Sequence, residues 1–321
     1  FDQNVLLLNN FYPVIAVYDD EGWNLTIPSP YGDTTYLDAS SYLVRVVAPE
    51  KLVLASSGGG VTTEQDADST VFAAGPVRDF YLAGSVKAKM ITSQSGDITI
   101  RVLAGKDYEQ VAGRISQYAA DAIRIFSDRF GAYPYREMDF VLAPFQAMGM
   151  EYPGAILIAN SLVSKGRNID QQQEIILEAV VAHEVAHQWF YNMVGSDQVD
   201  EPWLDEAFAQ YSTYLYYLDL YGKSAANSYR SSWYERWERV DQEEKPIGLP
   251  SGAYGDVEYV AIVYGRGPLF VQALEEEMGQ EVFAEFLRDY ATQLRWKTSS
   301  GDTFHSLAEQ HCQCDLSEIF E

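Results

Sequence analysis

His183-Glu184-Val185-Ala186-His187 is the stretch on which the reading of this chain turns. It lies in an apolar run whose pattern predicts a helix over Glu174 to Val194. Side chains four apart share one face of an α-helix, so the two imidazoles converge on a single point. A zinc ion at that point takes one ring nitrogen from each. Glu184, beside the first imidazole, can reach a water on the ion and accept its proton. The chain has only 4 histidines, so abundance does not account for two of them at this spacing.

A hydrolytic zinc site uses three protein ligands and keeps one position for water. Downstream, Glu201-Pro202-Trp203-Leu204-Asp205-Glu206 opens a second predicted helix, with Pro202 suited to its start. Between His187 and Glu206 lie 18 residues. That length accommodates the end of one helix, a turn around Gly195-Ser196-Asp197 and the first turn of the next. Glu206 is therefore the expected third ligand. The simpler alternative is a first-turn glutamate favoured by the helix dipole.

H-E-x-x-H followed at this distance by Trp203-Leu204-Asp205-Glu206 resembles the gluzincins. In particular it resembles the membrane-alanyl aminopeptidase (aminopeptidase N-like) family of zinc metallopeptidases. Two further elements carry the resemblance. Tyr264-Gly265-Arg266-Gly267 is similar to the family's Tyr-x-Lys-Gly, with Arg266 where lysine is usual. Met148-Gly149-Met150-Glu151-Tyr152 is similar to its Gly-x-Met-Glu-Asn. Here Met148 replaces the glycine, Gly149 comes next, and Tyr152 replaces the asparagine. Ala207 stands after the zinc glutamate where glycine is common.

The resemblance implies one Zn²⁺ ion held by His183, His187 and Glu206, with Glu184 as general base. It implies Tyr264 as hydrogen-bond donor to the developing oxyanion. Glu151 would pair with the α-ammonium group of a peptide, which selects substrates with a free N-terminus. Met150, Gly149 and Tyr259 would complete the substrate pocket. Two other readings stand beside this aminopeptidase: a zinc endopeptidase of the thermolysin type, and a catalytically inactive peptide-binding relative. The Met150-Glu151 element and the setting of Tyr264 weigh against the first. The complete set His183, Glu184, His187 and Glu206 weighs against the second.

Composition narrows the class further. The 321 residues are 47% hydrophobic and 14% aromatic, as in a globular chain with a large core. A net charge of −25 disfavours nucleic acid as a partner, because phosphate binding needs basic stripes. No apolar run reaches the length of a transmembrane segment. The only cysteines, in Cys312-Gln313-Cys314, are expected to be free thiols or an incidental local disulfide.

The fold expected is α+β. Residues 1–105 read as a partial N-terminal β-sheet domain. Ser41 to Val47 and Asp97 to Leu103 alternate as strands, Gly58-Gly59-Gly60 marks a turn, and Pro28, Pro30 and Pro49 punctuate loops. By resemblance, Asn10 to Pro13 and Gly22-Trp23 belong to the later half of a saddle-like sheet whose first strands lie outside this chain. Residues 106–321 read as a mostly helical, thermolysin-like catalytic domain. Its predicted helices are Tyr108 to Phe130, the zinc helix, the Glu206 helix through Tyr214, Ser224 to Val240, the Tyr264 helix, Gln280 to Leu294 and Thr303 to Glu309. Met138 to Leu142 and Ala155 to Ala159 read as strands bracketing the Met150-Glu151 element, and Asp241 to Val257 as a loop.

Overall fold

The computed structural model describes residues 5–19, 22–27, 32, 35–48, 52–61, 69–164 and 169–320. Pro28, Pro30 and Pro49 lie outside them. The first part of the chain is β1 (Val5–Leu8), β2 (Tyr18–Asp19), β3 (Gly22–Trp23), β4 (Ser40–Val47), β5 (Val53–Ser56), β6 (Gly59–Val61), β7 (Ser69–Val77), β8 (Leu82–Ser85), β9 (Lys89–Ser95) and β10 (Ile98–Ala104). Next come α1 (Glu109–Phe130), β11 (Glu137–Ala143), β12 (Gly149–Tyr152), β13 (Ala155–Ala159), α2 (Gln171–Ala186), β14 (Val194–Gly195), α3 (Trp203–Tyr221) and α4 (Lys223–Trp237). The last elements are α5 (Asp256–Ala261), α6 (Gly267–Met278), α7 (Gln280–Gln293), β15 (Lys297–Thr298), α8 (Gly301–Cys312) and α9 (Ser317–Phe320). This is the expected α+β class, sheet first and helices after.

The chain divides into two compact units, the first comprising residues 1–14, 39–124 and 133–188 and the second residues 15–38, 125–132 and 189–321. The first unit is built on a five-stranded sheet in the order β12-β13-β11-β10-β9. The pairs β13–β11 and β11–β10 are parallel, and the outer pairs antiparallel. Parallel strands covered on both faces read as continuous apolar runs. Ala155-Ile156-Leu157-Ile158-Ala159 is such a run, and all five residues are buried. Two three-stranded antiparallel sheets, β1-β8-β5 and β4-β7-β6, make up the rest of its β-structure. Ser57 and Gly58 form the turn into β6. Asp139, fully buried on β11, takes a two-pronged bond from Arg101 (2.6 and 2.7 Å) and one from the Ser56 amide. It thereby ties β5, β10 and β11 together.

The second unit is helical. Every residue of α3 from Trp203 to Thr213 is buried, so this stretch of the helix is enclosed by protein on all sides, its polar residues included. Trp203, Phe208, Tyr290 and Phe304 pack edge-on and stacked along it. Tyr211, Tyr216 and Tyr217 are core residues, as are Trp189, Phe190 and Tyr191. Cys312 and Cys314 form a local disulfide. Among the described residues no helix is long and apolar enough to cross a membrane.

Three expectations about local structure need correction. The zinc helix begins earlier and ends earlier, at Gln171–Ala186. Asp170 and Gln173 form a capping box at its start. At its end Gln188 N–H bonds the Val185 carbonyl three residues back, and Tyr191 adopts a φ of 119° that no helix permits. The Met150-Glu151 element is bracketed in sequence by β11 and β13 as expected, and is itself a strand, β12, at the edge of the sheet. Helix α3 runs on to Tyr221, where Gly222 at φ 83° stops it. Tyr264 sits not on an α-helix but in a π-helical turn, Ile262–Arg266, between α5 and α6.

Candidate metal centre

In the first unit the site grows from the last turn of α2. From Val180 to Ala186 every residue is buried, so His183 and Glu184 are enclosed by protein, as is His187 at the helix cap. The Nε2 atoms of His183 and His187 lie 3.2 Å apart, with the rings at 89°. Two nitrogens at Zn–N distances of about 2.0–2.1 Å in a tetrahedron are roughly 3.4 Å apart. The imidazole pair therefore fits a shared zinc ion.

Strand β12 supplies the rest of this half. Successive strand residues point to opposite faces. Gly149 and Glu151 face α2, whereas Met150 and Tyr152 face the apolar cluster around Tyr81, Leu103 and Leu157. Glu151, Glu184 and His187 each present a ligand atom, all within 4.8 Å of one another, and all three residues are buried. Two buried carboxylates this close repel one another, and a cation beside them offsets that repulsion. Gly149 has a steric reason: a Cβ there would overlap the Glu184 carboxylate and come within 2.6 Å of its Cγ. On the other face the Tyr152 hydroxyl bonds Met150 Sδ at 3.0 Å, and its ring stacks on Tyr81 at 4.4 Å.

The second unit carries Glu206 and Tyr264. Glu206, only 3% exposed, stands in the first turn of α3. Its N–H donates to Asp205 Oδ1 at 2.7 Å, and Asp205 Oδ2 accepts from Gln198 at 2.6 Å. The Tyr264 hydroxyl donates to Glu206 Oε1. Tyr259 is buried with its ring 5.9 Å from that of Tyr264. A π-turn inserts one residue into a helix and re-aims the side chains beyond it, and such turns recur at functional sites. Close packing explains its glycines. A Cβ at 265 would meet the Trp233 carbonyl at 2.9 Å, and one at 267 the Cβ of Ala207 at 2.9 Å. Ala207, where glycine is common, thus has a glycine opposite. Arg266 donates to the Lys245 carbonyl, and its guanidinium lies 6.0 Å from the Trp237 ring centroid. Lys245 in turn pairs with Glu258 at 2.8 Å. Arg266 therefore anchors the loop before α5.

Sequence reasoning missed three residues. Asp205 and Gln198 buttress the turn that bears Glu206. Gln188, fully buried, bonds the backbone of the β12–β13 turn through both ends of its amide. No sequence signal marks Gln188 beyond its place next to His187, because its partners are main-chain atoms more than 30 positions away.

An α+β chain with paired buried imidazoles on a helix end, and carboxylates beside them, has the fold and donor set of a gluzincin-type metallopeptidase. Residues 116–321 match the peptidase family M1 domain, and the chain belongs to that family. It is 25% identical to Aminopeptidase 2 of Candida albicans over 84% of this chain and 31% of that protein. To Probable aminopeptidase 2 of Sulfurisphaera tokodaii it is 27% identical over 81% of this chain and 34% of that protein. Its fold is shared with an M1 zinc metallopeptidase from Deinococcus radiodurans, with a TM-score of 0.69 at 23% identity, over 88% of this chain and 63% of that one. The chain spans about a third of the length of these curated relatives.

Proposed function

We propose that this chain carries the catalytic site of a zinc-dependent aminopeptidase, acting on peptides with a free N-terminus. The observation that carries the reading is the convergence of Glu151 and Glu184 with His187 in one buried group. On this reading His183, His187 and Glu206 hold one zinc ion. Residues 106–321 form the catalytic domain and residues 1–105 a β-rich N-terminal region.

A zinc ion held by these residues would supply Lewis acidity, making a nearby water easier to deprotonate and polarising the scissile carbonyl. Glu184 accepts the proton as the water oxygen attacks the carbonyl carbon. It then delivers that proton to the departing amine as the C–N bond breaks. The Tyr264 hydroxyl, which bonds Glu206 Oε1, donates to the oxygen that gains charge. Glu151 pairs with the α-ammonium group, and Gly149, on the same face of β12, leaves the space beside Glu184 open; Met150, expected in the pocket, instead packs on the other face, in the apolar cluster around Tyr81. A blocked N-terminus leaves the buried Glu151 carboxylate without its cationic partner, which disfavours endopeptidase substrates.

The test compares fluorogenic aminoacyl amides with their N-acetylated forms, with zinc supplied and its content assayed. Cleavage of only the free-amine forms, abolished by a chelator, is expected. Equal cleavage of both forms removes Glu151 from its role.

A further inference from the structure

We infer that Gln188 is a positioning residue that locks the amine-binding strand to the helix bearing the histidines. The inference rests on the reading of Glu151 as the α-amine anchor and deepens it. Gln188 comes directly after His187 and is fully buried. Its Nε2 donates to the Tyr152 carbonyl at 3.1 Å, and its Oε1 accepts from the Gly154 N–H at 2.8 Å. Those two groups flank Pro153 in the two-residue turn that joins β12 to β13.

The geometry gives this clamp leverage. Tyr152 is the residue after Glu151, so the carbonyl that Gln188 holds is one peptide from the carboxylate. Strand β12 is an edge strand, paired only with β13 among the described residues. Its own ladder therefore fixes it from one side. At the strand's other end Gly149 lies against Glu184 with no room for a Cβ. The strand is thus held at both ends, by α2 at Gly149 and, at the turn, by the amide of Gln188 just past the helix cap. Gly154 sits at φ 68°, the left-handed value that a Pro-Gly turn requires at its third position. Its carbonyl accepts from the Asp139 amide at 2.9 Å. With N–H held by Gln188 and C=O by β11, the turn has both backbone groups committed. The primary amide of Gln188 supplies the donor and the acceptor together from one rigid planar group.

The test uses the full chain with zinc bound and two variants. Gln188→Met removes both bonds at similar volume, whereas Gln188→Glu keeps the acceptor for Gly154 and loses the donor to Tyr152. Both are expected to raise KM for free-amine substrates by roughly 5- to 50-fold, the range set by losing a buried hydrogen bond. Turnover at saturation should stay within about twofold, because neither variant touches the group that moves the proton. Zinc content should be unchanged. Hydrogen exchange at the Gly154 amide should be slow in the wild type and in Gln188→Glu, and faster in Gln188→Met. Unchanged KM in both variants overturns the inference, as does loss of zinc or a fall in kcat at constant KM. A fast-exchanging Gly154 amide in the wild type also overturns it, without need of a variant. A wild-type protein that holds zinc but cleaves free and acetylated substrates alike overturns the reading of Glu151 and with it this role. A wild type that discriminates, with variants that bind as well as it does, overturns this role alone.

Discussion

The Nε2 atoms of His183 and His187 face one another across 3.2 Å inside the first unit, held at nearly perpendicular ring planes by a helix end buried on every side. Two imidazoles kept this close are arranged for a shared cation. Replacing either with alanine is therefore expected to drop zinc content towards zero and to abolish hydrolysis. Atomic absorption on dialysed protein, beside an activity assay, checks this. A variant that keeps stoichiometric zinc would show that its imidazole is not a ligand.

Glu184 makes a different prediction, because it is assigned to the proton and not to the metal. Glu184→Gln keeps the shape of the side chain but cannot accept a proton. Turnover should fall by about 10²- to 10⁴-fold, the usual contribution of a positioned general base, while zinc content stays at the wild-type level. Near-native activity in this variant would end the proposed mechanism.

Gly149 tests the same carboxylate from outside the motif. A branched side chain at 149 overlaps the place where the Glu184 carboxylate lies. Gly149→Val should lower kcat at least about tenfold with zinc retained. Unaltered turnover would mean that Glu184 works from another rotamer.

Tyr264→Phe removes one hydrogen-bond donor and leaves the ring. Loss of an oxyanion donor costs about 10²- to 10³-fold in kcat, and KM should change little, since the bond is made in the transition state. An effect on KM alone would assign Tyr264 to substrate binding.

Stability should carry a pH signature from Asp139. Burial pushes its carboxyl up to about 6, outweighing the bonds from Arg101 and the Ser56 amide that favour its charged form. A carboxyl whose folded-state pKa lies above its unfolded value of about 3.9 binds protons more tightly in the folded state. Its stabilising contribution is complete below about pH 4 and is lost as pH rises through about 6. The contribution amounts to about 2–3 kcal/mol over that window. Denaturant titrations at about pH 4 and about pH 7 should show a larger gain towards acid in the wild type than in Asp139→Asn. Equal pH dependence in the two proteins would refute the assignment.

Much of the architecture was readable from residue order. The stripe Val111, Ile115, Ala119, Ile123 repeats at helical spacing, and the structure buries each of these side chains in α1. The alternation in Ser41 to Val47 gives the exposed and half-buried pattern of β4. What resisted reading were endings and insertions. Gln188 to Val194 is apolar enough to continue a helix, and nothing local forbids it. The helix stops because Tyr191 and Val194 close a tight loop through main-chain bonds. The π-turn at Tyr264 is equally silent, since one inserted residue leaves composition and periodicity nearly unchanged.

By itself the sequence determined the α+β class and the His183-Glu184-x-x-His187 pattern, because those depend on residue type and on spacing within single elements; Glu206 came from its distance downstream, and Tyr264 and Glu151 from resemblance to the family. Only the tertiary structure decided that Glu151 lies on a strand and approaches Glu184 and His187, that Gly149 packs against the Glu184 carboxylate, and that Gln188 holds the turn. These are contacts between segments far apart in the chain, several made to backbone atoms that every residue possesses. A side chain's type carries no record of which distant main-chain group it will meet.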